Sequence, residues 1–193
     1  MTIERGSAIL RGFVPWVFVF SCFWAIEAFA QADAPPYVFS RDGEFSSVVL
    51  ITADADWQEK WNTAVSDIPR IGTVKELGLG DAATVLVLFS GAQPANGRLE
   101  VLCKIEIAKP NGVIQTMPEA PCYDEVSRGQ RKNVLLANAR VEFKVEAGDP
   151  VGLWRFRIAV RDQNSSARTA AEIGVRVLDH GIGPEGPTRG AKP

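Results

Sequence analysis

Asp54, Asp56, Trp57, Lys60 and Trp61 crowd into the stretch DADWQEKWNTA. Those residue types offer two chemistries. Paired carboxylates can supply oxygen ligands to a cation such as calcium. Two indoles four residues apart can form a stacking platform for a sugar ring or a partner's side chain. A second carboxylate pair is Asp149, just before the segment GLWRFRIAVRD, and Asp162, which ends it. Neither pair has the spacing of an EF-hand, and loop aspartates are usually turn formers. Arg155, Arg157 and Arg161 recur at even spacing, which puts them on one face of a strand where they could meet an anion.

Catalytic sets are harder to assemble. The single histidine, His180, lies near the C-terminus, remote from any nucleophile elbow, and no G-x-S-x-G occurs. No phosphate-binding loop or dinucleotide fingerprint is present. Zinc needs three or four ligands, and the cysteines have a better use. Cys22 falls in the N-terminal apolar run, which leaves Cys103 and Cys122 as an even pair. In an oxidising compartment such a pair reads as a disulfide. The loop it closes spans about 20 residues, worth roughly 3 kcal/mol in the chain-entropy model. The sequence therefore points to a non-enzymatic protein with no metal and no cofactor.

Export follows from the first thirty residues. Arg5 and Arg11 precede an uncharged, mostly apolar run from Gly12 to Ile26, and Ala28 and Ala30 end it at cleavage spacing. This is the grammar of a signal peptide over residues 1–30. The run is short for a membrane span and contains Pro15, although an uncleaved anchor is the alternative. Residues 31–179 then read as one domain, and the Gly/Pro-rich residues 180–193 as a flexible tail. The expected location is periplasmic or secreted, with membrane contact only through the signal segment before cleavage. A net charge of −2 offers no basic field to collect nucleic acid.

The elements that must position these side chains are strands. Leu99, Val101, Cys103, Ile105 and Ile107 alternate with Glu100, Lys104 and Glu106. The same period of two recurs in RVEFKVEA, LWRFRIAVRD and AAEIGVRVLD, apolar on one side and charged on the other. The runs at 46–53 and 83–90 are apolar on both faces and fit central strands covered on both sides. Short strands are expected at 73–77 and 113–117. Turn chemistry separates them: GAQPANG, Pro110-Asn111-Gly112, AGDPVG and DQNSS. The long polar loop 117–133 has no evident element. The fold class is all-β: an antiparallel immunoglobulin-like β-sandwich of about eight strands with one short helix.

That helix begins at Trp57. Asp56 followed by Glu59 resembles a capping box, and Ile68-Pro69 ends the segment. About two turns are expected, crossing one end of the sandwich. Burying two indoles is worth roughly 7–12 kcal/mol as an upper bound. That size favours a plug over the open end of the core, with a glycan platform as the alternative. The outward Glu142, Glu146 and Glu172 are the expected cross-strand partners of the arginine row.

The start pattern of Asp54, Asp56, Trp57, Lys60 and Trp61 pairs with a late pattern of Asp149, Pro150, Gly152, Trp154, Val160 and Asp162. Together they resemble a group of uncharacterised bacterial exported proteins with an immunoglobulin-like β-sandwich. The resemblance implies export and a fold; it transfers no catalytic residue. The expected role is non-catalytic binding or assembly in the cell envelope, with another envelope protein or a glycan as partner. The alternative is a carbohydrate-binding module using Trp57 and Trp61.

Overall fold

The computed structural model describes residues 36–63, 69–127 and 134–179. The expected signal peptide, the tail from His180 onward and the last part of the 117–133 loop lie outside the described residues.

Ten strands and one short helix follow in chain order: β1 (Tyr37–Asp42), β2 (Phe45–Thr52), α1 (Trp57–Trp61), β3 (Glu76–Leu77), β4 (Ala82–Ser90), β5 (Arg98–Ala108), β6 (Ile114–Val126), β7 (Leu135–Leu136), β8 (Val141–Lys144), β9 (Gly152–Asp162) and β10 (Arg168–Val177). They form two five-stranded sheets. In the first, β1, β2 and β4 run side by side, and β7 and β8 both pair with β4, one opposite Leu88–Phe89 and the other opposite Ala82–Val85. The second has the order β3-β10-β9-β5-β6. Every pairing is antiparallel except the two-residue parallel contact of β3 with β10.

Period-two alternation builds the main core. Val49 and Ile51 of β2, Val85, Val87 and Phe89 of β4, and the inward residues of β5, β9 and β10 form one buried cluster. Phe89 meets Tyr123 edge-on at 5.1 Å, and Phe143 lies 5.2 Å from Phe156. The hairpins fall where turn chemistry placed them. Lys109 and Val113 close the Pro110-Asn111-Gly112 turn, with the Lys109 N–H donating to the Val113 carbonyl at 2.9 Å. Asn96 and Gly97 both adopt positive φ, 51° and 74°, as the tight two-residue turn closed by the isolated Ala95–Arg98 bridge requires.

Four expectations need correction. The described residues form ten strands, not about eight. One added strand is β1, which turns into β2 through Gly43 and Glu44, with Gly43 at φ +61°. The 117–133 loop is strand as far as Val126, because β6 runs 13 residues. As the edge of the second sheet it is exposed along most of its length, so no apolar alternation marked it. Its Pro118 and Pro121 suit an edge strand, where a missing N–H is tolerated. The helix is one turn rather than two, and the Asp56 side chain caps no backbone N–H. Finally, α1 does not cross the end of the sandwich. Trp57 packs on Leu50, Leu86 and Leu88, the outward residues of β2 and β4, so α1 covers the outer face of the first sheet. That cover is why β2 and β4 are apolar on both sides.

Cys103 and Cys122 form a disulfide with a Cα–Cα distance of 5.5 Å. Both are buried. The bond joins β5 to its neighbour β6 across a ladder whose register shifts twice near it. It therefore links two neighbouring strands of one sheet.

Candidate functional site

The DADWQEKW stretch is a clasp. Asp54 leaves β2 and stops the chain, its N–H donating to Thr52 Oγ1 at 3.0 Å. Its Oδ2 accepts from the Gly72 N–H at 2.7 Å and from Lys60 Nζ at 2.7 Å. Lys60 reaches Asp56 Oδ1 as well, at 2.9 Å. The Lys60 ammonium and the Gly72 N–H hold the Asp54 carboxyl below its ordinary value, and the two carboxylates push Lys60 up. A Cβ on Gly72 would stand 3.1 Å from Asp54 Oδ1, so a side chain there would make the carboxylate shift by a few tenths of an ångström. These contacts fix α1 on the sheet and turn both indoles toward it.

Trp57 is 6% exposed and offers little ring face to a ligand. The guanidinium carbon of Arg140 lies 5.7 Å from its ring centroid. Trp61 is half-buried against the same apolar cluster. Grooves run on either side of α1. One, of about 540 Å³, is lined by Thr52–Ala55, Ala82–Thr84 and Glu142–Lys144. The other, of about 360 Å³, is lined by Trp61, Asn62, Tyr123, Glu125, Asn138 and Arg140 among others. Trp57 and Gln58 border both. Tyr123 donates its hydroxyl to Glu125 Oε2 at 3.2 Å, and Arg140 Nε meets Glu142 Oε1 at 2.6 Å.

The second groove gathers residues that sequence reasoning did not assign. Tyr123 and Glu125 come from β6, and Asn138 and Arg140 from the segment between β7 and β8. Asn138 and Arg140 reach α1 because β7 and β8 both pair with β4, and the Asn138 N–H, donating to the Cys122 carbonyl at 2.6 Å, holds β6 beside them. No local spacing signals that meeting.

The late motif is structural. Asp149 Oδ1 pairs with Lys109 Nζ at 2.8 Å, and its Oδ2 accepts the Glu146 N–H at 3.0 Å. Both contacts hold the Asp149 carboxyl below its usual range. Lys109 Nζ also sits 4.0 Å above the Trp154 ring, whose indole N–H donates to the Pro150 carbonyl at 2.9 Å. Gly152 has φ +126°, and a Cβ there would meet Pro110 Cγ at 3.0 Å. Asp162 is fully buried and accepts from the N–H groups of Gln93 and Asn164 and from the Ser165 hydroxyl. It thereby pins the β9–β10 turn to the loop after β4. Asp149 precedes β9 and Asp162 is its last residue, so a strand about 33 Å long at the usual rise lies between them and they share no ion. Among the described residues no three metal-ligating side chains cluster.

The arginine row is already paired. Arg157 contacts Glu106 at 3.0 Å and Glu172 at 2.7 Å, Arg155 meets Glu172 at 3.4 Å, and Arg161 meets Glu119 at 3.0 Å. Arg161 lowers the Glu119 carboxyl. Glu172 is an expected partner; Glu142 instead sits with Arg140. The reason is topological: β9 lies between β5 and β10, and β8 belongs to the other sheet.

Strand β1 carries a different feature. Tyr37 and Phe39 are 56% and 57% exposed. They pair with Leu50 and Val48, so they extend the apolar outer face of the first sheet past the cover that α1 supplies.

No family model matches the chain, and no curated protein matches its sequence. Among solved structures, a family 123 glycoside hydrolase from Clostridium perfringens is 11% identical with a TM-score of 0.42, over 70% of this chain and 28% of that one. The Pseudomonas fluorescens alkylpurine DNA glycosylase AlkC, bound to DNA containing an abasic site analogue, is 13% identical at 0.33, over 52% and 27%. A Niemann-Pick type C2 protein from Japanese carpenter ant is 13% identical at 0.35, over 76% and 96%. The chain thus spans little more than a quarter of the first two. At these scores the likenesses assign neither family nor function.

Proposed function

We propose that the chain is an exported, non-enzymatic β-sandwich that docks another protein of the cell envelope. The observation that carries this reading is the pair Tyr37 and Phe39, large aromatics more than half exposed on the edge strand β1. They continue an apolar face, and exposed contiguous apolar surface marks interaction sites more often than chance. An edge strand also offers backbone groups for strand addition. The buried disulfide supports an oxidising compartment. Support for the immunoglobulin-like form of the sandwich lies in the connectivity: β4 sits between β2 and β8, β9 comes back beside β5, and the short β3 runs parallel to the final strand β10.

Photo-crosslinking tests the reading. A benzophenone side chain at position 39, in cells exporting the protein, should give one discrete adduct that a probe at position 104 on the opposite sheet does not give. Equal labelling from both positions, or none from position 39, would overturn it.

The second reading, a carbohydrate-binding module, draws its support from Trp61, which keeps part of its indole on the wall of the groove beside Asn62 and Asn138.

A further inference from the structure

We infer that the groove between α1 and the β6–β8 connection is a binding site for a neutral polyhydroxylated ring, a sugar unit of a glycan, with Trp61 as its stacking surface. This rests on the carbohydrate reading and sharpens it, because Trp57 drops out as a platform and serves as the floor that holds Trp61 in place.

The polar lining specifies the ligand class. Gln58, Asn62 and Asn138 are exposed amides, and each carries both donors and acceptors. Glu125 is an acceptor only and Arg140 a donor only. Adjacent ring hydroxyls donate and accept at once, so a polyol can satisfy all three kinds of group together. A sulfate or phosphate dianion fits poorly: it is mainly an acceptor and would face the Glu125 carboxylate, while Glu142, 2.6 Å from Arg140, already balances that guanidinium's charge. A purely apolar ligand would strip water from three amides and a carboxylate without replacing their hydrogen bonds. The groove's volume of about 360 Å³ lies at the small end of ligand sites, which suits one or two sugar rings and not a long buried chain. Trp61 supplies the remaining element, an aromatic surface anchored to the sheet through Leu50, Leu86 and Leu88.

The other groove beside α1 lacks this combination. It carries the polar Asp54, Gln58, Glu142 and Lys144 between alanines and threonines, but its aromatic residues are the buried Trp57 and the half-buried Phe143, which offer no stacking surface.

The test titrates the purified full domain with soluble oligosaccharides of cellulose, laminarin, xylan, mannan and chitin and with muropeptides, read by calorimetry. At least one should bind. Trp61→Ala and Asn138→Ala should each weaken it tenfold or more, with the far-UV circular dichroism spectrum unchanged and Lys104→Gln without effect. Silence across the panel overturns the carbohydrate reading itself. Binding that survives both Trp61→Ala and Asn138→Ala overturns this site while leaving that reading in place. If Trp61→Ala fails to fold, Asn138→Ala and Asn62→Ala decide alone, since both side chains are exposed and hold no part of the core.

Discussion

Replacing Trp57 by alanine separates burial from ligand binding. Trp57 is 6% exposed and packed on Leu50, Leu86 and Leu88. An indole removes about 150–250 Å² from water, worth roughly 4–6 kcal/mol at about 25 cal/mol per Å². Measured truncations of buried tryptophan cost about 3–5 kcal/mol. The lower range applies here, because α1 is a single turn and can settle onto the sheet. We expect Trp57→Ala to cost about 3–4 kcal/mol, and Trp61→Ala, half-buried from the start, about 1–2 kcal/mol. Urea unfolding followed by circular dichroism measures both. With a slope near 2 kcal/mol per M, Trp57→Ala moves the midpoint down by about 1.5–2 M. A domain of ordinary stability, about 5–15 kcal/mol, survives that loss, and Trp57→Phe gives a milder step in the same direction. If Trp57→Ala costs less than Trp61→Ala, or under about 1 kcal/mol, α1 is not the cover of the first sheet and the account of the two-sided strands fails.

Asp149 and Asp54 have carboxyls held below their ordinary values by Lys109 and Lys60 respectively. A depressed carboxyl binds fewer protons folded than unfolded, so its contribution is complete above the ordinary carboxylate range and disappears as pH falls through the lower folded value. The urea midpoint should therefore drop on acidification below about pH 4, and Asp149→Asn should flatten that part of the profile. Removing the disulfide by C103A/C122A should cost about 3 kcal/mol by releasing a loop of 19 residues' separation, checked by the same unfolding curves. A change under about 0.5 kcal/mol would mean that the β5–β6 ladder needs no covalent help.

Legibility followed the range of the interaction. Alternation in β5, β9 and β10 is visible because inward and outward neighbours differ at every second residue. The turn at Pro110–Gly112 is equally local, and so is the choice of partner for Cys103, since only Cys122 remains after the N-terminal segment. Only the start of β6 was readable, as the short strand expected at 113–117; its continuation to Val126 was not, because an edge strand exposed everywhere but at Cys122 and Tyr123 has no apolar period to reveal it. The partners of the arginine row were half readable: outward glutamates were evident, but which of them faces β9 depends on strand order.

By itself, then, the order of residues determined an all-β chain, its principal strands, several of its turns, its disulfide and a short helix at Trp57. All of these depend on contacts within a few residues or on elimination among three cysteines. Only the tertiary structure decided that α1 lies on the outer face of the first sheet. It also brought Tyr123, Asn138 and Arg140 beside Trp61 and kept Asp149 and Asp162 apart, one before the start of β9 and the other its last residue. Those outcomes are set by which strands pair. Pairing is settled by the combined burial of distant segments, and no single segment carries a record of the neighbour it will meet.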